Sequence, residues 1–195
     1  MAQFMVLSLP RSRSTWLSYF LSYRANQCAH DLLVHCGSIS DFDRSLAGYN
    51  GSCETAAMVG WKLIVEKYPK MRLVVVKRPP EEVVKSLAEH GFFIDPEFIE
   101  ARDAMLDAVS NLPGVLTIQY SDLEQEATCK EVFEFCLCTP HDSEWWQELD
   151  ARNIQIDMKQ RYLVLQENAE SLERLNLEVI AETAKLGARE CLHLN

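Results

Sequence analysis

Short apolar runs alternate along the chain with longer stretches in which apolar residues recur every three or four positions. "FMVLSL" (4–9) is almost wholly apolar and stops at Pro10, as expected of a buried strand in a parallel sheet. "STWLSYFLSYR" follows, with Trp16, Leu17, Phe20 and Leu21 at helical spacing and Ser14 placed as the N-cap. "LAGYN" (46–50) predicts a short second strand, and "GSCETAAMVGWKLIVEKYP" a helix from about Glu54 to Tyr68 that stops before Pro69. "RLVVVKR" (72–78) is the clearest strand, with three consecutive valines that leave neither face wet. Pro79 and Pro80 end it and open the helix "EEVVKSLAEH", where proline is tolerated in the first turn.

The same pattern continues to the end of the chain. "DPEFIEARDAMLDAVSNL" predicts a helix, "VLTIQY" (115–120) a fourth strand, and "DLEQEATCKEVFEFCL" and "DSEWWQELDARNI" further helices. From Met158 to Leu186 the spacing predicts one long helix with Leu165, Leu172, Val179 and Leu186 seven apart, a stripe that packs on its own domain. Strands alternating with helices give an α/β fold, with a small parallel sheet of about four strands flanked by helices. At 195 residues the chain is expected to form one domain, an α/β core over 1–140 followed by C-terminal helices over 141–195.

Charge sharpens this picture. The formal net charge of −10 excludes a general nucleic-acid binder or a protein held on an anionic membrane, since either needs a basic face. Yet residues 1–30 contain three arginines and no acid, and residues 62–85 contain seven Lys/Arg against three Glu. Two basic segments on an acidic protein point to a small polyanion held locally. Seven cysteines, an odd number in no disulfide-like frame, together with no secretory-type N-terminus and no membrane-length apolar run, predict a cytoplasmic protein. Cys28, His30, His35 and Cys36 form the spacing C-x-H-x4-H-C, which matches no closed structural zinc pattern, so no metal is expected.

The turn between the first strand and the first helix places backbone N–H groups and the positive end of a helix dipole together, the usual grip on a phosphate. It contains no glycine. The glycine fingerprints of nucleotide-triphosphate and dinucleotide loops are both absent, and Arg11, Ser12, Arg13, Ser14 and Thr15 offer guanidinium and hydroxyl donors instead.

These residues carry a family resemblance. "PRSRSTW" resembles the 5′-phosphosulfate loop of the sulfotransferases, P-[KR]-S-G-[ST]-[ST]-W, with Arg13 standing where most members have glycine. "VVVKRPPEEVVKSL" is similar to the family's 3′-phosphate motif, with Arg78 on its arginine, Pro80 on its proline and Ser86 on its serine. "IQYSDLEQE" looks like the family's Y-E-D-L segment, and no counterpart of the C-terminal R-K-G element is found. The resemblance covers roughly the first two-thirds of the chain. It implies a donor, 3′-phosphoadenosine 5′-phosphosulfate, with adenosine 3′,5′-bisphosphate as product. It places Ser12 to Thr15 on the 5′-phosphate, Trp16 on the adenine, Arg78 with Ser86 on the 3′-phosphate, and Arg11 on the leaving group. It also implies a strand order 2-3-1-4 and transfer to a hydroxyl or amine without a metal.

The catalytic base has three candidates. Glu54 follows the second strand, and His30 and Asp31 follow the first helix. The acceptor, a small molecule or small glycan, would meet the loop 26–46 and the helices around 91–111 and 141–160. His90, Phe92, Phe93, Trp145 and Trp146 are either an apolar pocket or core. A monomer or weak homo-oligomer is expected. Two rival readings are a binding module that has lost transfer and a kinase of the same broad fold, the latter opposed by the missing Gly-Lys-[ST] sequence.

Overall fold

The computed structural model describes residues 4–152, 154–155 and 158–193. Five parallel strands form one sheet in the order β2-β3-β1-β4-β5, with β1 at Phe4–Ser8, β2 at Cys28–His30, β3 at Gly51–Glu54, β4 at Arg72–Lys77 and β5 at Leu116–Gln119. The helices are α1 (Ser14–Phe20), α2 (Ile39–Leu46), α3 (Trp61–Lys67), α4 (Pro80–Glu89), α5 (Pro96–Ser110), α6 (Glu126–Leu137), α7 (Ser143–Asp150), α8 (Met158–Glu167) and α9 (Ala169–His193). Single 3₁₀ turns occupy Leu32–His35, Ala57–Gly60 and Tyr120–Glu124.

The central strand explains the two-faced core. All five residues of β1 are buried, and their alternation sends Met5 and Leu7 into one cluster and Phe4 and Val6 into the other. Leu73 and Val75 of β4 join the first cluster, Val74 and Val76 the second. On the first face, residues of α2, α3, α4, α5 and α9 cover the sheet; on the second, residues of α1, α6 and α7 do so. Each such Val, Leu or Phe contributes about 1.5–3 kcal/mol by leaving water, so the continuous apolar runs at 4–9 and 73–76 bind both helical layers to one sheet.

The α/β class with a helix-flanked parallel sheet stands as expected, with differences in detail. The second strand lies at 51–54 rather than 46–50, and the helix expected from Glu54 is a 3₁₀ turn at 57–60 followed by α3. Gly51 is needed there because a Cβ on it would lie 2.3 Å from the Phe4 ring. The extra strand, β2, is only three residues long and pairs with β3 at the sheet edge. The digits 2-3-1-4 therefore recur in the order, but they now count β2. Of the four strands read from the sequence, the first lies between the second and the third. The long C-terminal helix is interrupted at Asn168, between α8 and α9. Of the stripe, Val179 packs in the core beside Leu175, while Leu165, Leu172 and Leu186 are half-buried.

Ser14 is not the N-cap. Arg13 takes that position in a left-handed conformation and Ser14 is the first helical residue. No helix among the described residues is long and apolar enough to cross a membrane.

Candidate active site

The glycine-free loop is left-handed at two positions, a conformation that glycine adopts most readily. Arg11 has φ 62° and Arg13 has φ 60°, a conformation that costs a side-chain-bearing residue roughly 1–2 kcal/mol. Side-chain contacts offset that cost. Arg11 donates from Nε to Ser86 Oγ (3.3 Å) and from Nη2 to Gln155 Oε1 (3.3 Å), and Nη2 lies 3.2 Å from His90 Nε2. Arg13 turns the other way: Nη1 donates to the Leu123 carbonyl (2.8 Å), Nη2 pairs with Asp150 (3.3 Å), and the guanidinium lies 5.0 Å from the Trp16 ring centroid. The residue in the family's glycine position thus ties the loop to the 3₁₀ turn at 120–124 and to α7.

The two basic segments meet at the carboxyl ends of β1 and β4, which are adjacent strands. Arg78 donates from Nη1 to the Arg11 carbonyl, pairs with Glu82 (3.3 Å) and stacks 4.1 Å from the Tyr120 ring centroid. The Arg11–Ser86 bond closes the link from the other side. Burial, and then the neighbouring charge of Arg78, hold the Arg11 pKa below its ordinary value. Two crowded guanidiniums at the strand ends form a site that an anion would relieve.

Beside this cationic group lies a second cluster, built around β2. His30 Nε2 sits 3.0 Å from Ser14 Oγ, 3.2 Å from Thr15 Oγ1 and 3.6 Å from Asp31 Oδ2. Burial lowers its pKa, Arg161 reinforces the shift and Asp31 opposes it, which leaves the imidazole neutral at pH 7. Asp31, itself left-handed at φ 51°, accepts from the Thr55 amide (2.7 Å), Thr55 Oγ1 (2.9 Å) and Arg161 Nη2 (2.6 Å).

Glu54 behaves differently. It is fully buried and does not line the cavity; its carboxyl accepts from the amides of Leu32 (2.9 Å) and Leu33 (3.3 Å) and from the Ser52 hydroxyl. Burial, with the adjacent Asp31, pushes its pKa up to about 8, so at neutral pH it is chiefly a protonated acid that caps the 3₁₀ turn at 32–35.

All of this surrounds one open cavity of about 1280 Å³, ample for a nucleotide and an acceptor together. Arg11, Arg13, Ser14, Thr15, Trp16, His30, Asp31, Arg78 and Ser86 line it; Ser12 and Glu54 do not. Ser12 is buried with its hydroxyl donating to the Pro10 carbonyl at 3.5 Å. Trp16 is 3% exposed, donates to the Leu149 carbonyl and stacks on Phe20 with centroids 4.9 Å apart, so only its edge reaches the cavity.

His90, Phe92 and Phe93 line the cavity, whereas Trp145 and Trp146 pack against the α1–α6 core. Sequence reasoning missed Arg161 and Gln155, which come from distant segments that carry no local pattern, and Thr55, which directly follows the candidate Glu54. Tyr120 lay within the quoted "IQYSDLEQE", and its place directly after a strand was the available signal. The four residues weighed for zinc are dispersed: Cys28 Sγ lies 3.7 Å from Cys53 Sγ, and Cys36 contacts the Leu32 carbonyl.

Residues 4–134 match the sulfotransferase domain family, and the chain belongs to that family. Among solved structures it resembles the mouse sulfotransferase SULT7A1 complexed with PAP, with a TM-score of 0.57 and 14% identity. The likeness spans 77% of this chain and 63% of that one, which at this identity establishes a shared fold. No curated protein matches the sequence.

Proposed function

We propose that this chain binds 3′-phosphoadenosine 5′-phosphosulfate and transfers its sulfuryl group to a hydroxyl or amine of a small acceptor. The observation that carries the reading is the convergence of the two basic segments: Arg78 on the Arg11 carbonyl and Arg11 on Ser86, at the carboxyl ends of β1 and β4. The PAP of the structural neighbour is adenosine 3′,5′-bisphosphate, the product such a donor leaves. Arg78 with Ser86 holds the 3′-phosphate, and Ser14 and Thr15 with the loop amides hold the 5′-phosphate.

In the transfer step the acceptor oxygen or nitrogen attacks sulfur, the sulfur–oxygen bond to the 5′-phosphate breaks, and that phosphate departs with the bonding pair beside Arg11. The acceptor proton passes to His30 Nε2, which faces Ser14 and Thr15 and is neutral at pH 7. Asp31, whose carboxylate lies 3.6 Å from the same nitrogen, stabilises the imidazolium that forms, and is itself held by Arg161 and Thr55. The chemistry calls for no metal, since guanidinium groups meet the developing charge. Among the described residues six cysteines carry free thiols, which supports a reducing, cytoplasmic setting.

A thermal-shift comparison tests the reading. Adenosine 3′,5′-bisphosphate without metal stabilises the chain by about 2.7 kcal/mol at a hundredfold excess over its dissociation constant, and magnesium ATP does little. Reversal of that order favours a kinase. Binding of the bisphosphate with no transfer to any hydroxyl or amine favours a binding module.

A further inference from the structure

Away from the arginine and histidine groups the cavity wall changes character. Phe92, Ile94, Phe98 and Tyr162 line it, and Phe93 at its mouth is 89% exposed. One cation stands on this wall: Arg102, one helical turn after Phe98 on α5, with its guanidinium 4.1 Å from the Phe98 ring centroid. The other arginines of the cavity have oxygen acceptors. Arg11 donates to Ser86 and Gln155, and Arg13, Arg78, Arg152 and Arg161 pair with Asp150, Glu82, Glu148 and Asp31. No oxygen of the described residues takes that role for Arg102. Burial holds its pKa below the ordinary value, and the half-buried guanidinium has no opposite charge beside it among the described residues.

We propose that Arg102 anchors a carboxylate on the acceptor, and that the acceptor is an aromatic hydroxyl compound whose carboxylate is set apart from the hydroxyl receiving the sulfuryl group. The proposal rests on the sulfuryl-transfer reading for the word acceptor, though not for the binding itself. Aromatic side chains suit a planar ring. The guanidinium lies over the Phe98 ring, and with no oxygen partner among the described residues its N–H groups can serve a carboxylate, which arginine can bind through two oxygens at once. A carboxylate meeting Arg102 replaces an unmet charge by a charge-assisted pair, so anionic acceptors are selected over their neutral analogues.

The test is calorimetric titration of the full chain with 4-hydroxyphenylalkanoic acids of increasing chain length and with their methyl esters, without donor. At the best chain length the acid should bind about tenfold or more tighter than its ester, and Arg102→Met, which keeps the length of the side chain, should abolish the difference. Arg102→Lys should retain part of it. Equal binding of acid and ester, no binding of either, or a difference that survives in Arg102→Met overturns the proposal. If Arg102→Met fails to fold, Arg102→Gln takes its place, and an acid–ester difference that survives in it overturns the proposal in the same way. Adenosine 3′,5′-bisphosphate titrated into the same preparation reads the donor half separately: failure there sinks the sulfuryl-transfer reading and leaves the acid–ester result standing on its own.

Discussion

The carboxyl edge of the sheet has two sides of opposite chemical character. On the β1–β4 side stand Arg11, Arg78 and Ser86, joined by guanidinium hydrogen bonds. On the β2–β3 side stand His30, Asp31 and Glu54, a histidine and two acids. The first side suits holding phosphates and the second moving a proton. The two share a boundary in Ser14 and Thr15, whose hydroxyls face His30 from the loop that follows β1. Within the second side the two acids diverge: Asp31 opens onto the cavity, while Glu54 turns inward to backbone amides. The proposed function implies a division of labour, in which substitutions on one side should change affinity and those on the other turnover.

The largest expected effect is on the proton-handling side. His30→Gln keeps a hydrogen-bonding group near Ser14 but removes basicity, so turnover should fall by about 10²- to 10⁴-fold with donor affinity nearly preserved. Equal loss of adenosine 3′,5′-bisphosphate binding in calorimetry would erase the division. Arg78→Ala comes next and should act in the opposite way. It removes charge-assisted bonds worth about 1.5–3 kcal/mol, which weakens adenosine 3′,5′-bisphosphate about tenfold or more. Unchanged binding would remove Arg78 from the anion site and leave it as a brace for the loop.

A smaller effect tests how the loop keeps its shape. Arg13→Gly and Arg13→Ala both lose the bond to the Leu123 carbonyl and the half-exposed pair with Asp150, but only alanine keeps the left-handed strain. The glycine chain should therefore be more stable than the alanine chain by about 1 kcal/mol in urea unfolding. If alanine equals glycine, the left-handed conformation of Arg13 carries no cost and the side-chain tether is not what compensates it.

The β1–β4 side was legible in the sequence because its elements are strongly patterned. Continuous apolar runs mark β1 and β4, the prolines at 79 and 80 mark where α4 begins, and the fixed interval from Arg78 to Ser86 survives as a spacing. The β2–β3 side was not. Cys28–His30 is too short for any period to show, and "GSCE" reads as a turn or helix start because its polar residues satisfy one another only in three dimensions, Ser52 on Glu54 and Glu54 on the amides of 32 and 33. Choosing among Glu54, His30 and Asp31 required knowing which way each side chain points, and that depends on an edge strand the sequence does not announce. Arg161 reaches Asp31 from a segment 130 positions away, a contact that only tertiary packing creates.

The smallest effect on activity, and the sharpest test of the two acids, belongs to Glu54. Its pKa rises from 4.5 to about 8 on folding, so between those values the native state holds a proton that the unfolded chain has released. Stability from this group is therefore fully present below about pH 4.5 and is lost as pH rises through about 8. Glu54→Gln keeps one of the two oxygens, enough to accept from the Leu32 amide, gives up the bond from the Leu33 amide, and cannot ionise. The melting temperature of the variant should accordingly fall less steeply than that of the parent between pH 5 and 8, with turnover at pH 7 within about twofold of the parent. A variant with parallel melting profiles would mean that Glu54 is ionised in the folded chain. A variant that folds normally and loses turnover as His30→Gln does would return the base role to Glu54 and leave His30 as a ligand of the loop hydroxyls.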